Sequence, residues 1–216
     1  MKKGLTELVF ILDRSGSMSG LEKDTVGGYN SLLKKQKGEK GEAVITTVLF
    51  DDQYELLHDR IGLKGISPIT DKEYFVRGCT ALLDAIGRTI DKIGNAQKHT
   101  SEDERAEKVM FVITTDGMEN ASREYDYKKI KTMIEHQKEK YNWEFLFIGA
   151  NIDAVETASK FGIGADCAAN YHADSKGTAT FFEAVSETVC CMRAEPSVPI
   201  SADWKMRIDE DFEKRK

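Results

Sequence analysis

The sequence lacks the cysteine spacing that a disulfide framework or a zinc site would need. It contains four cysteines, no pair shows CxxC spacing, and two of the four are adjacent in the chain. Small disulfide-rich domains and zinc sites carry cysteines in regularly spaced sets. We therefore predict buried free thiols in a protein of a reducing compartment. The four residues are Cys79, Cys167, Cys190 and Cys191.

Long apolar runs are also missing. A membrane-spanning helix needs about 20 consecutive apolar residues, and no stretch of this chain approaches that length. The first apolar run, LVFIL at residues 8–12, is too short for the core of a signal peptide, and Asp13 and Arg14 follow it directly. These absences predict a soluble, cytoplasmic protein that does not contact a membrane.

Positive charge is in deficit. The chain has 31 Lys and Arg residues against 37 Asp and Glu, which gives a net charge of −6. It also has no stripe of Lys and Arg interleaved with aromatic residues. Domains that bind nucleic acids are usually basic because they neutralise phosphates. We therefore expect no nucleic-acid partner.

What the sequence does contain is a set of unbroken apolar segments separated by helical patterns. Apolar runs without alternation predict strands of a sheet that is covered on both faces. Helical segments between them predict βαβ units, and so a doubly wound (Rossmann-like), mostly parallel α/β sheet with helices on both faces. The predicted strands are 8–12, 44–50, 108–115 and 143–149, and the predicted helices are 21–37, 80–93, 125–140, 153–161 and 177–192.

Two segments depart from this alternation. The stretch DDQ at residues 51–53 has the length of a tight turn, so YELLHDRI at 54–61 is predicted to be an antiparallel edge strand. Residues 195–216 contain two prolines and a charged run, and they form either a docked helix or a flexible end. We predict one domain at residues 1–194 with 195–216 as a C-terminal tail, since 216 residues suit one domain with a substantial core.

Two aspartates follow the first and fourth predicted strands. Asp13 ends the run LVFILD, and Asp116 ends VMFVITTD. In a doubly wound sheet these strands flank the point where strand order reverses, and ligands bind beyond their carboxyl ends. Two carboxylates that converge there repel each other unless a cation lies between them. Ser15 and Ser17 follow in the next loop, and their hydroxyl oxygens suit Mg²⁺ or Mn²⁺ better than zinc.

These motifs resemble those of the von Willebrand factor A (VWA) domains. DRSGS matches the family's DxSxS motif, TTDG matches its second aspartate, and GCTALLDAIG matches the loop that supplies a threonine. The resemblance covers about residues 5–194 and indicates the stand-alone intracellular type of prokaryotes or phages. It implies an intact metal-ion-dependent adhesion site (MIDAS) made of Asp13, Ser15, Ser17, Thr80 and Asp116.

The resemblance also implies how such a site works. The hydroxyls would contact Mg²⁺ (or Mn²⁺ or Ca²⁺) directly or nearly so, and the carboxylates would hold it partly through water. With few negative charges touching it, the ion stays electrophilic and accepts a carboxylate from a partner protein. The implied function is a metal-dependent protein-interaction adaptor, not an enzyme. The residues at the rim that would shape partner choice are Arg77, Glu119 and Asn120, with Tyr74 and Phe75 as further candidates.

The family resemblance bears on the partner only in general terms. Intracellular VWA proteins are often linked to AAA+ ATPases, chelatases or stress-response systems. The resemblance therefore implies a partner such as an AAA+ ATPase or a stress-response component.

Each motif also has a simpler interpretation. Asp13 can cap a helix, Thr80 can cap the helix after it, and Asp116–Gly117 can be an ordinary turn. A different function is open as well, because a carboxylate pair with Mg²⁺ can serve a phosphohydrolase. A phosphatase with a nucleophilic aspartate would show DxDxT after its first strand. Here Ser15 occupies the position of the second aspartate, so the general acid is missing.

Overall fold

A single six-stranded sheet forms the centre of the protein within residues 1–215, which the computed structural model describes. The strands are β1 (Lys2–Asp13), β2 (Glu42–Phe50), β3 (Tyr54–Gly62), β4 (Ala106–Thr115), β5 (Glu144–Gly149) and β6 (Ala168–Asn170). Their order is β3-β2-β1-β4-β5-β6, with β3 antiparallel to β2 and the other neighbouring pairs parallel. The predicted doubly wound α/β class with an antiparallel edge strand is confirmed.

Helices cover both faces of the sheet. In β1, Leu8, Phe10 and Leu12 pack into a core shared with the first and fifth helices, while Val9 and Ile11 pack into a core shared with the second and third. Alternate residues of a strand point to opposite faces, so two buried faces give an unbroken apolar run. None of the helices in residues 1–215 is long and apolar enough to cross a membrane. The helices are α1 (Glu22–Gly38), α2 (Leu82–His99), α3 (Tyr127–Tyr141), α4 (Ala154–Lys160), α5 (Ser175–Ala194) and α6 (Met206–Lys214).

Two elements near the C-terminus add to what the sequence indicated. The strand β6 pairs in parallel with β5. It has only three residues, which is too short to give a visible apolar run in the sequence. The helix α6 packs against α5, where Ile208 is buried in the core that α5 shares with α1. Lys176 and Asp211 form an ion pair at 2.6 Å, and the Trp204 indole donates to the Asp166 carbonyl oxygen at 2.7 Å. The structure thus places the tail as a helix docked on the domain.

The prediction that the four cysteines are buried is wrong. All four are free thiols, but Cys79 and Cys191 are exposed, and Cys167 and Cys190 are partly exposed. Cys79 lies in the loop before α2, outside both apolar cores, and Cys191 occupies a position near the end of α5 that neither core uses. Their solvent exposure follows from these positions.

The strands β1 and β4 are neighbours at the centre of the sheet. The chain leaves β1 toward β2 on one side and leaves β4 toward β5 on the other. The loops after these two strands therefore separate and leave a crevice at their carboxyl ends. Asp13 is the last residue of β1 and Asp116 follows β4 directly, and both are buried. The fold thus brings the two predicted carboxylates to one edge of the sheet.

Candidate metal centre

Asp13 is fixed by hydrogen bonds at the end of β1. Its Oδ1 accepts from the backbone N–H of Ser15 at 2.7 Å, and its Oδ2 accepts from the Thr115 hydroxyl at 2.6 Å. Burial raises the pKa of Asp13 to about 6; these hydrogen bonds offset part of the rise, and the charge of Asp116 adds to it. The carboxylate is therefore well positioned but costly to ionise unless a positive charge lies nearby.

Three hydroxyls meet at the same edge. The Oγ atoms of Ser15 and Ser17 are 3.0 Å apart, and Thr80 Oγ1 donates to Ser15 Oγ at 3.0 Å. The backbone N–H of Gly16 donates to the Gly78 carbonyl oxygen at 3.1 Å, which joins the loop after β1 to the loop before α2. Ser15 and Thr80 are buried, whereas Ser17 is exposed. The hydroxyl cluster therefore opens to solvent on the side of Ser17.

The loop after β4 is tied to Thr80 by Asn120. The Asn120 side-chain oxygen accepts from the Thr80 N–H at 2.9 Å. The N–H groups of Asn120 and Ala121 donate to the Thr80 carbonyl oxygen at 3.0 and 3.2 Å. Asn120 is exposed. Its contacts also show that it holds the threonine in place.

Asp116 differs from Asp13 because its carboxylate has no partner. Both of its side-chain oxygens are buried, and neither makes a hydrogen bond. Burial raises the pKa of Asp116, and the nearby Ser17 hydroxyl offsets part of this rise without reaching hydrogen-bonding geometry. An unsatisfied buried polar group costs about 1–3 kcal/mol, and a charged one costs more. The two oxygens of Asp116 are therefore free to bind a positive group.

The donor set fits a small, hard divalent cation. Two carboxylates and three hydroxyls supply only oxygen, which Mg²⁺, Mn²⁺ and Ca²⁺ prefer. Among residues 1–215, no three His, Cys, Asp or Glu side chains gather as a metal cluster; the candidate centre has hydroxyls in place of a third such ligand. The residues that the structure brings together here are Asp13, Ser15, Ser17, Thr80 and Asp116.

Two glycines permit the close approach of the loops. Gly78 has a φ of +67°, which favours glycine, and a Cβ there would lie 2.0 Å from Oδ1 of Asp52. A Cβ at Gly117 would lie 3.0 Å from the Ser17 Oγ and 3.5 Å from Thr80 Oγ1. A larger residue at Gly78 would require a strained backbone and a shift of the Asp52 side chain, and one at Gly117 would crowd the Ser17 hydroxyl.

Glu119, predicted at the rim, is directed into its own loop. Its carboxylate accepts from the N–H groups of Leu83, Ala121 and Ser122 at 2.9, 3.0 and 2.8 Å, and from the Ser122 hydroxyl at 2.7 Å. The bond from Leu83 ties this loop to the first turn of α2. The carboxylate therefore organises the loop after β4 and is engaged by groups of the protein itself.

Two further rim candidates also make internal contacts. Arg77 Nε donates to Asp51 at 2.6 Å, and Arg77 Nη2 donates to the Gln53 side-chain oxygen at 3.2 Å. The expectation that Tyr74 lies on the rim is wrong. Tyr74 is fully buried in the core beneath α1, and its hydroxyl donates to the Asp13 carbonyl oxygen. Its ring thus supports the end of β1 from within.

Arg14, between two of the predicted metal residues, has a structural role that sequence reasoning missed. It is fully buried, its Nε donates to Asp51 Oδ2 at 3.1 Å, and its Nη2 lies 2.7 Å from a Glu55 carboxylate oxygen. The Phe75 ring lies 5.4 Å from the guanidinium carbons of both Arg14 and Arg77. In the sequence it is a lone arginine between Asp13 and a stretch of serine and glycine, which says nothing about its partner 37 residues away.

The simpler interpretations of the motifs do not describe this arrangement. The short 3₁₀ helix after β1 begins after Ser15 without a side-chain cap, so Asp13 caps no helix. The residue before α2 is Ala81 and not Thr80. The side chain of Asp116 makes no hydrogen bond that would stabilise a turn. The hydrogen bond from the Ser15 N–H to Asp13 Oδ1 is a local turn contact, but capping and turn formation leave the side chains of Thr80 and Asp116 unexplained.

No family model and no curated protein matches this chain, but solved structures do. Three of them are proximal thread matrix protein 1 (PTMP1) from the mussel byssus with a zinc-occupied MIDAS motif, a von Willebrand factor type A structure from Catenulispora acidiphila, and the manganese-loaded TRAP protein of Plasmodium vivax. Their TM-scores are 0.58, 0.60 and 0.56, at 14%, 15% and 15% sequence identity. They cover 87%, 88% and 83% of this chain.

The same alignments cover 46%, 43% and 73% of the three matched chains, so this chain spans less than half the length of the first two. At these identities the likeness establishes the fold, which is that of the VWA domains. The PTMP1 structure holds zinc in its MIDAS motif, and the TRAP structure is loaded with manganese.

Proposed function

We propose that this chain is a protein-interaction module that binds an acidic side chain of a partner protein through a divalent cation. The observation that carries the proposal is Asp116, a buried carboxylate with no hydrogen-bond partner on either oxygen. A bound cation would supply the missing partner and offset the cost of burying this charge. The residues of this MIDAS are Asp13, Ser15, Ser17, Thr80 and Asp116.

The surrounding protein arranges these donors so that a bound divalent cation would keep the capacity to accept a further ligand. Both oxygens of Asp13 already accept hydrogen bonds, from Ser15 and Thr115, which disperses part of its negative charge. Neutral hydroxyls form the rest of the set, and the cluster opens to solvent on the side of Ser17. When bound, the cation supplies a Lewis-acidic position that a partner's carboxylate oxygen can occupy.

For the ion we propose Mg²⁺, with Mn²⁺ and Ca²⁺ as alternatives. The all-oxygen donor set supports a hard cation, and the metals in the PTMP1 and TRAP structures support a divalent one. We further propose a stand-alone intracellular protein of prokaryotic or phage type, acting in the cytoplasm with an AAA+ ATPase or a stress-response component as partner.

We also propose that the chain is not an enzyme. A metal-dependent phosphohydrolase would use one carboxylate as nucleophile and a second acid to protonate the leaving group. Both Asp13 oxygens are buried and hydrogen-bonded, and a serine, Ser15, takes the place of the acid. These features favour ligand binding over catalysis.

Calorimetric titration of Mg²⁺ and Mn²⁺ into the chelator-treated protein tests this function. We expect the wild type to bind one ion and Asp116→Asn to lose measurable binding, because the substitution removes the uncompensated charge while keeping the shape. Asp71→Asn, at an exposed carboxylate, is the matched control and should bind like the wild type. An Asp116→Asn variant that binds Mg²⁺ as tightly as the wild type would refute the site.

A parallel assay addresses the enzyme alternative. The wild type is incubated with p-nitrophenyl phosphate and Mg²⁺ or Mn²⁺, beside Asp116→Asn. We expect no hydrolysis above the background of the metal alone. Metal-dependent turnover that disappears in Asp116→Asn would replace the interaction module with a phosphohydrolase.

A further inference from the structure

Two charged residues beside the candidate metal centre, Glu119 and Arg77, are engaged inside the protein. Glu119 accepts four hydrogen bonds from its own loop and from α2, and Arg77 pairs with Asp51. Around the exposed Ser17, the exposed loop positions include uncharged residues such as Cys79 and Met118. The exposed groups beside the centre therefore include uncharged ones that a partner can contact.

Met118 is the most exposed large apolar residue among residues 1–215, with 74% of its surface accessible. Gly117, directly before it, lies so close to the hydroxyl cluster that a Cβ there would be 3.0 Å from the Ser17 Oγ. Met118 thus lies two residues after Asp116, one of the proposed ligands. The flexible thioether side chain of methionine adapts its shape to a partner.

Phe75 provides a second apolar group on another loop. It is 43% exposed, and its ring lies 5.4 Å from the guanidinium carbons of Arg14 and Arg77. The Arg77 N–H donates to the Arg14 carbonyl oxygen at 2.9 Å, which fixes this loop against the one that carries Asp13 and Ser15. Two arginines thus hold the ring in place while leaving part of it accessible.

We infer that Met118 and Phe75 form an apolar rim, which binds a large apolar residue next to the partner's acidic residue. The recognised segment is then an Asp or Glu with Leu, Ile, Met or Phe directly beside it in sequence. The inference rests on the proposed function, because it presupposes that the acidic residue is bound at the metal.

Electrostatics favours an apolar neighbour over a second acidic one. The chain carries a net charge of −6, and the exposed Asp52 packs against Gly78 beside the centre. A cation would attract a carboxylate at one point, but further acidic residues would meet this negative field. An apolar neighbour avoids that repulsion and gains contact with Met118 and Phe75.

The experiment selects peptides on the full-length protein in the presence of Mn²⁺. The probe is a phage library of linear heptapeptides with a central Glu and randomised flanks, sequenced before and after capture. We expect Leu, Ile, Met and Phe to be enriched at a position adjoining the Glu. The selected peptide, made synthetically, should bind Met118→Ala or Phe75→Ala about tenfold more weakly than the wild type.

Met206→Ala is the matched control, since Met206 is also exposed, at 52%, but lies on α6. It should select and bind like the wild type. Enrichment that depends on Mn²⁺ and Asp116 but shows no apolar preference would overturn the rim and leave the proposed function standing. The same result follows if Met118→Ala and Phe75→Ala both select and bind like the wild type. Enrichment that persists in EDTA or in Asp116→Asn, or no capture at all, would count against the proposed function itself.

Discussion

Arg14 and Asp51 form an ion pair with no solvent exposure on either side chain, at 3.1 Å between Nε and Oδ2. Asp51 also accepts from Arg77 Nε and from the Gln53 N–H, each at 2.6 Å. One carboxylate thus joins the loop after β1, the turn after β2 and the loop before α2. Two of these loops carry proposed metal ligands.

Replacing Asp51 should therefore destabilise the fold strongly. Asp51→Asn leaves the buried Arg14 guanidinium with Glu55 as its remaining counter-ion, and breaking a buried pair costs about 3–5 kcal/mol. We expect the free energy of unfolding in urea to fall by about 3 kcal/mol. Arg77→Gln, whose side chain is 38% exposed, should cost about 1 kcal/mol or less. Equal losses in the two variants would show that the buried pair is not the dominant contact.

Unlike the change at Asp51, replacing Asp116 should not destabilise the metal-free protein, because its charge is uncompensated. In EDTA, Asp116→Asn should be at least as stable as the wild type, since it removes a buried charge that repels Asp13. With Mg²⁺ at about 100 times its Kd, the wild type should gain about 2.7 kcal/mol while the variant gains none. Thermal unfolding with and without Mg²⁺ measures both. A variant less stable than the wild type in EDTA would contradict the absence of a partner for Asp116.

The sheet could be predicted from the sequence because two buried faces leave long unbroken apolar runs, as in LVFIL and VMFVITT. The topology then placed Asp13 and Asp116 at one edge. The strand β6 could not be predicted, because three residues, Ala168–Asn170, carry no periodicity of their own. Its place depends on pairing with β5, which is a tertiary contact.

Side-chain direction explains what the site analysis missed. Spacing along the chain predicted which loops converge, but not that Tyr74 points inward while Met118 points into solvent. Likewise, the charges of Glu119 and Arg77 suggested partner contacts, whereas backbone N–H groups and Asp51 already engage them. Whether a charged side chain bonds within the protein or to a binding partner depends on three-dimensional packing, which a sequence motif does not encode.

Two adjacent glycines in α1 should respond in opposite ways to alanine. A Cβ at Gly27 has no atom within 4 Å, whereas a Cβ at Gly28 would lie 2.2 Å from the Phe182 ring of α5. Gly27→Ala should stabilise the protein by about 0.5–1 kcal/mol through helix propensity. Gly28→Ala should destabilise it by about 1–3 kcal/mol because α1 and α5 must separate. Urea unfolding of the two variants tests this. A similar change in the free energy of unfolding of both would mean that helix propensity alone determines the effect.

The raised pKa of Asp13 predicts how pH affects stability in the absence of metal. Its pKa is about 6 in the folded protein against an ordinary value of 3.8. Between these values the folded state holds a proton that the unfolded state has lost. The contribution of Asp13 to stability is therefore present at low pH and is lost as pH rises through about 6.

A cation at the centre should reverse this trend, because it favours the ionised carboxylate and must displace the proton at low pH. We expect the gain in Tm from a fixed Mg²⁺ concentration to be large at pH 7.5 and small at pH 5. Taking the difference with and without Mg²⁺ removes the contribution of other titrating groups, such as the buried Glu7, whose pKa is also raised by burial. Asp116→Asn should show no gain at either pH. A wild-type gain that is equal at pH 5 and 7.5 would mean that Mg²⁺ stabilises the protein without engaging Asp13.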